Sequence, residues 1–116
     1  AYAALGTYLN EELGLPAAPP RFAWHDRGAL TALAEPHGFH ISVDEVSIAF
    51  RAESPEAQVE LDATKHPMWL DTIAQVRGAG GHETELRDRM TVALREINED
   101  PAAFRTTSRY VIATLT

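Results

Sequence analysis

The chain reads as α+β, with two strand regions and about five helices, on three observations. Apolar residues recur three or four apart over most of its length, the spacing of one helix face. That period gives way twice: to alternation over 39–51, and to the apolar run Tyr110-Val-Ile-Ala-Thr-Leu115. Proline, glycine and hydroxyl residues fall at the joints between these stretches, where helices start and stop. The order is helix, helix, strand, three helices, strand.

Over 2–13, Tyr2, Leu5, Leu9 and Leu13 form a helical stripe, and Gly14 follows where a C-terminal glycine would sit. The linker 14–25 holds Pro16, Pro19 and Pro20, which remove donors and push their predecessors toward extended geometry. Asp26 suits the N-cap of a helix over 26–36, with Ala29, Leu30, Leu33 and Ala34 on one face and Pro36 and Gly38 as its stop. Within 39–51, Phe39, Ile41 and Val43 alternate in one phase and Val46, Ile48 and Phe50 in the other, which predicts a bulge at Asp44-Glu45.

A helical insert then occupies 54–99. Ser54-Pro55-Glu56 combines a hydroxyl cap, a proline at the first helical position and an acid at the positive helix end. His66-Pro67 interrupts the helix. A second helix carries Met68, Trp69, Leu70, Ile73 and Val76 as far as Gly78-Ala-Gly-Gly81, and a third carries Leu86, Met90, Ala93, Leu94 and Ile97. The terminal strand, 107–115, lacks clean polar alternation and reads as buried on both faces, in the middle of a sheet. One other strand region cannot flank it on both sides, so the chain reads as part of a larger fold.

Composition is that of an ordinary globular domain: 116 residues, 45% hydrophobic and 23% charged. A net charge of -7 repels a phosphate backbone and argues against nucleic acid as a partner. No stretch approaches the roughly 20 apolar residues that cross a bilayer, so no membrane partner is expected. The absence of cysteine fits a reducing, cytoplasmic setting. The opening Ala1-Tyr2-Ala3-Ala4-Leu5 has neither Met nor a basic segment, and reads as neither an intact start nor a signal peptide.

Few residues suggest chemistry. His37-Gly-Phe-His40 has a spacing found in some metal sites, but no third histidine or cysteine follows to complete a donor set, and no metal is expected. His66-Pro67-Met68-Trp69 places a titratable ring beside two large polarisable or aromatic side chains, and reads either as pocket lining or as helix end and core. Trp24-His25-Asp26 has the same ambiguity. No Gly-x-Ser-x-Gly elbow is present, the acid pairs Glu11-Glu12 and Glu99-Asp100 sit near helix ends, and Gly78 to Gly81 lacks the context of a phosphate loop. No catalytic residue is assigned.

The ordered set Phe22-Ala-Trp24-His-Asp26, Ala29-Leu30, Gly38-Phe39, Ser54-Pro55-Glu56-Ala57, His66-Pro67-Met68-Trp69-Leu70, Asn98-Glu-Asp100 and Thr107-Ser108-Arg109-Tyr110 spans nearly the whole chain. It resembles the C-terminal part of class I S-adenosylmethionine-dependent methyltransferases of the small-molecule type common in actinobacteria, which have a Rossmann-like α/β fold. The resemblance implies that 39–51 and 107–115 are the last two, antiparallel strands of a sheet, and that the insert 54–99 is a lid over the active site. It also implies a small-molecule acceptor, with pocket residues His66, Met68, Trp69 and Ile73 and, on the first helix, Tyr2 and Tyr8.

S-adenosylmethionine is implied for the intact family protein. The family's glycine-rich loop and ribose-binding acid are not among these 116 residues, so no cofactor is expected to bind this chain alone. The expected function is therefore that of a substrate lid and sheet-completing part, inactive by itself. The alternatives are a free-standing α+β homodimerisation or ligand-binding module, pairing through an exposed strand edge or helices, and a small enzyme using His37, His40 or His66.

Overall fold

The computed structural model describes residues 6–17 and 19–116. Tyr2 and the start of the helix expected over 2–13 lie outside the described residues. The elements are a π-helical turn Tyr8–Glu12, α1 Arg27–Ala34 continued by a 3-10 turn Glu35–His37, β1 Ile41–Ala52, α2 Pro55–Lys65, α3 Pro67–Gly78, α4 Glu83–Glu96 and β2 Phe104–Leu115. With the π-helical turn counted, the described residues form an α+β arrangement of five helices and two antiparallel strands. Its contacts divide it into two compact units, one of 1–18 with 50–106 and the other of 19–49 with 107–116.

In the first unit, local chemistry sets the ends of α2 and α3. Ser54 Oγ accepts the Ala57 N–H at 3.1 Å and Pro55 opens α2. His66, at φ -83° and ψ 120°, ends α2 and begins α3, because Pro67 disfavours helical geometry in the residue before it. α3 stops at Gly80, whose φ of 77° is open to glycine at little cost. The Gly81 N–H donates to the Val76 carbonyl at 2.8 Å and the Gly80 N–H to Arg77 at 3.2 Å, the bonding of a Schellman stop.

The helices bury one shared core. α2 supplies Val59 and Ala63, α3 Trp69, Ile73 and Val76, and α4 Leu86, Met90 and Leu94, with Tyr8 and Phe104 completing it. Gly81 lies against this core so closely that a Cβ there would meet Leu13 Cδ1 at 2.9 Å. Outside the core, Arg87 joins Glu83 (2.9 Å) to Glu60 of α2, and Arg89 joins Glu85 (3.0 Å) to Glu12.

Arg87, and then Arg77, donate to the Glu83 carboxylate and hold its pKa below the ordinary 4.5. A carboxylate whose pKa is lowered on folding stabilises the fold fully above the unfolded value and loses that contribution as pH falls through the folded one. Glu83→Gln should therefore lower stability at neutral pH and flatten the loss on acidification below about pH 4.5. Urea midpoints of both proteins across that range check it, and parallel acid profiles would refute it.

The 3-10 turn after α1 ends at Gly38, whose φ is 80°. Asp26 caps α1 by accepting the Ala29 N–H at 2.9 Å. His40 and Thr116 exchange both backbone hydrogen bonds, at 2.8 and 2.9 Å, and so fix an antiparallel, hydrogen-bonded pair. Counting back from this pair sets Ile41 opposite Leu115 and Ala52 opposite Phe104, so the strands end flush. β1 runs unbroken over twelve residues against twelve in β2, so the bulge expected at Asp44-Glu45 is not needed. The phase change has another cause: each face of the ribbon is apolar over a different half of its length.

The same register corrects the expectation for the terminal strand. Tyr110, Ile112 and Leu115 are exposed, at 44, 50 and 52%, and the strand belongs to a two-stranded sheet among the described residues. An apolar run measures what a strand can bury, and here one face is half-covered at Val111 and Ala113 while the other is open.

Candidate functional site

The residues implied as an acceptor pocket divide according to helix geometry. Met68 and Trp69 are consecutive, so their side chains leave α3 about 100° apart and cannot share a face. Trp69 turns inward and is 1% exposed, and Ile73, one turn on, joins it in the core. Met68 turns outward and is 46% exposed. His66, at the joint of α2 and α3, is half-buried, and its Nδ1 is buried with no hydrogen-bond partner among the described residues. A buried ring nitrogen without a protein partner is uncommon.

Tyr8 is fully engaged. Its hydroxyl donates to Glu85 Oε2 at 3.4 Å and accepts the His82 N–H at 3.3 Å, while the Arg89 guanidinium lies 5.0 Å from the ring centroid. Glu85, and then Glu12, raise the pKa of Arg89, so the cation over the ring is permanent. Tyr8 thus anchors the segment before the linker onto α4. Tyr2 lies outside the described residues. Trp69, Ile73 and Tyr8 are brought together in one core, with His66 and Met68 at the helix joint beside Trp69.

One surface depression was not legible in the sequence. About 390 Å³ in volume, it is lined by Thr7, Asp88, Arg89, Val92, Ala93 and Glu96, along α4 and the segment preceding the π-helical turn. Its apolar floor comes from Val92 and Ala93, and its rim carries both signs of charge. Val92 lies off the buried stripe of Leu86, Met90 and Leu94, and an apolar residue out of phase was its only sequence signal.

His37 ends the 3-10 turn, and the backbone of His40 pairs with Thr116. Among the described residues, no group of three or more His, Asp or Glu side chains is gathered to hold a metal ion. Gly78 to Gly81 is committed to the stop of α3, with the N–H groups of Ala79, Gly80 and Gly81 all bonded to helix carbonyls. This glycine run therefore neither follows a strand nor keeps those N–H groups free for S-adenosylmethionine. The described residues contain no helix long and apolar enough to cross a membrane. No protein-family model, curated protein or solved structure matches this chain.

Proposed function

We propose that this chain is the substrate-lid and sheet-completing part of an S-adenosylmethionine-dependent methyltransferase acting on a small molecule, and that it is inactive alone. The observation that carries the reading is the antiparallel pairing of β1 with β2 across an insert made only of α2, α3 and α4. That is the order the resemblance implies for the last two strands of the sheet and the cap between them. The open outer edge of β2 agrees with a sheet that continues.

In this role the insert orients the acceptor and excludes water, the two contributions that matter most for an in-line methyl transfer. The exposed Met68 and the half-buried ring of His66, at the joint of α2 and α3, are the groups this reading assigns to the acceptor. Trp69, Ile73 and Tyr8 hold the helices that present them. The cofactor supplies an electrophilic methyl group and would be held by another part of the intact protein.

Calorimetric titration of S-adenosylmethionine tests the reading, using this chain and a polypeptide that also includes the segment encoded immediately upstream of Ala1. No binding to the chain and clear binding to the longer polypeptide are expected. An upstream segment without a strand, glycine loop and helix, or a longer polypeptide that fails to bind, would sink the proposal.

A further inference from the structure

The two edges of the β1–β2 ribbon are treated differently. The His40–Thr116 pair exchanges both hydrogen bonds, so even-numbered residues of each strand bond inward and odd-numbered residues point their N–H and C=O outward. On the outer edge of β1, Arg27 Nη2 donates to the outward carbonyl of Val43 at 3.1 Å, taking the place of a neighbouring strand. Asp44 and Glu45 add charge to that strand. The outer edge of β2 is closed at its start, where Asn98 Oδ1 accepts the Arg105 N–H and the Glu99 N–H donates to the Arg105 carbonyl.

From Arg109 to Leu115 no third strand lies against β2 among the described residues. Folded proteins blunt such edges with charge, proline, bulges or cover. Here Tyr110-Val-Ile-Ala-Thr-Leu115 has none of the first two, and β2 is unbroken.

We infer that a second copy of this chain occupies that edge, the two β2 strands pairing antiparallel about a dyad at Ile112. In this register Arg109 meets Leu115 of the other copy and Val111 meets Ala113, so every outward pair from 109 to 115 exchanges both its hydrogen bonds. Ile112 packs on its own counterpart in the closer, non-hydrogen-bonded position. The exposed face carrying Ile48, Tyr110 and Ile112 becomes continuous across the dyad.

Charge favours this partner. The unit of 19–49 with 107–116, which holds the pairing part of the ribbon, carries Arg21, Arg27 and Arg109 against Asp26, Glu35, Asp44 and Glu45, so it holds one of the seven net negative charges, and the rest lie in the other unit. The pairing edge itself carries no acid. Its one cation, Arg109, pairs with Glu45 of its own copy at 3.5 Å and faces Leu115. Because Arg27 covers the other edge at Val43, pairing closes at two copies instead of propagating.

The inference concerns this chain by itself: in the longer polypeptide of the methyltransferase reading the continuing sheet would take this edge in place of the second copy, and that reading is tested separately, by cofactor binding. Sedimentation equilibrium of the 116-residue chain should give twice its 12.7 kDa mass at micromolar concentration. Ile112→Glu sets two carboxylates face to face at the dyad and should weaken the dimer at least about tenfold. Hydrogen exchange of the wild-type protein does not depend on that variant folding. The outward amides of Val111 and Ala113 should be protected and become faster on dilution, while the outward amide of Val43 exchanges rapidly throughout. A monomer at all concentrations, or a dimer with unprotected Val111 and Ala113, would overturn the inference.

Discussion

Trp69→Ala is expected to cost about 3–5 kcal/mol, the range for deleting a large aromatic side chain from a packed core. Trp69 is 1% exposed and is the largest of the fully buried side chains. Its helix is short and bounded by Pro67 and Gly80, so neither flank can shift far to refill the space. Domains of this size are stable by about 5–15 kcal/mol, so the loss is a large share of the total and should move the urea midpoint strongly downward. Urea denaturation followed by far-UV circular dichroism measures the change. A loss below about 1 kcal/mol would mean that the ring is not part of the core. Met68→Ala is the matched control: with half of its side chain in water, it should change stability little.

Asn98→Ala should cost about 2–4 kcal/mol, more than any other change of a single polar residue here. Its Nδ2 donates to the carbonyls of Asp100 and Ala103 at 2.8 and 2.9 Å, and its Oδ1 accepts the N–H groups of Asp100 and Arg105 at 3.0 and 2.9 Å. One side chain thereby closes the turn between α4 and β2 and starts the strand in its proper direction. Alanine leaves two donors and two acceptors without a partner. Asn98→Asp keeps the acceptor and loses both donors, so it should fall between the wild type and alanine. Thermal melts of the three proteins in that order check the assignment, and an alanine variant as stable as the wild type would refute it.

Signals confined to a few neighbouring residues were legible in the sequence. Asp26, Ser54-Pro55 and the glycines after α3 mark helix ends because capping involves only adjacent backbone. Burial was harder to read. The apolar content of Tyr110 to Leu115 states what a strand can bury, whereas its exposure depends on what lies beside it. Tyr8, which the resemblance places in the acceptor pocket, is a core residue; its partners Glu85 and Arg89 are far away in sequence and no local pattern announces them. His66-Pro67 was correctly placed at a helix break, but the unpartnered Nδ1 is a property of the packed helices alone.

The flush register of β1 and β2 has a consequence for chain entropy. Joining strands separated by so long an insert would ordinarily carry the closure cost of a long loop. Ala52 and Phe104, which face each other at one end of the ribbon, pack against or within the helical core, so that core brings them together as it forms. From there each further strand pair closes only a short loop, as in a two-residue hairpin. The three-helix insert thus serves the ribbon as its turn, a folded body doing the work of a tight bend.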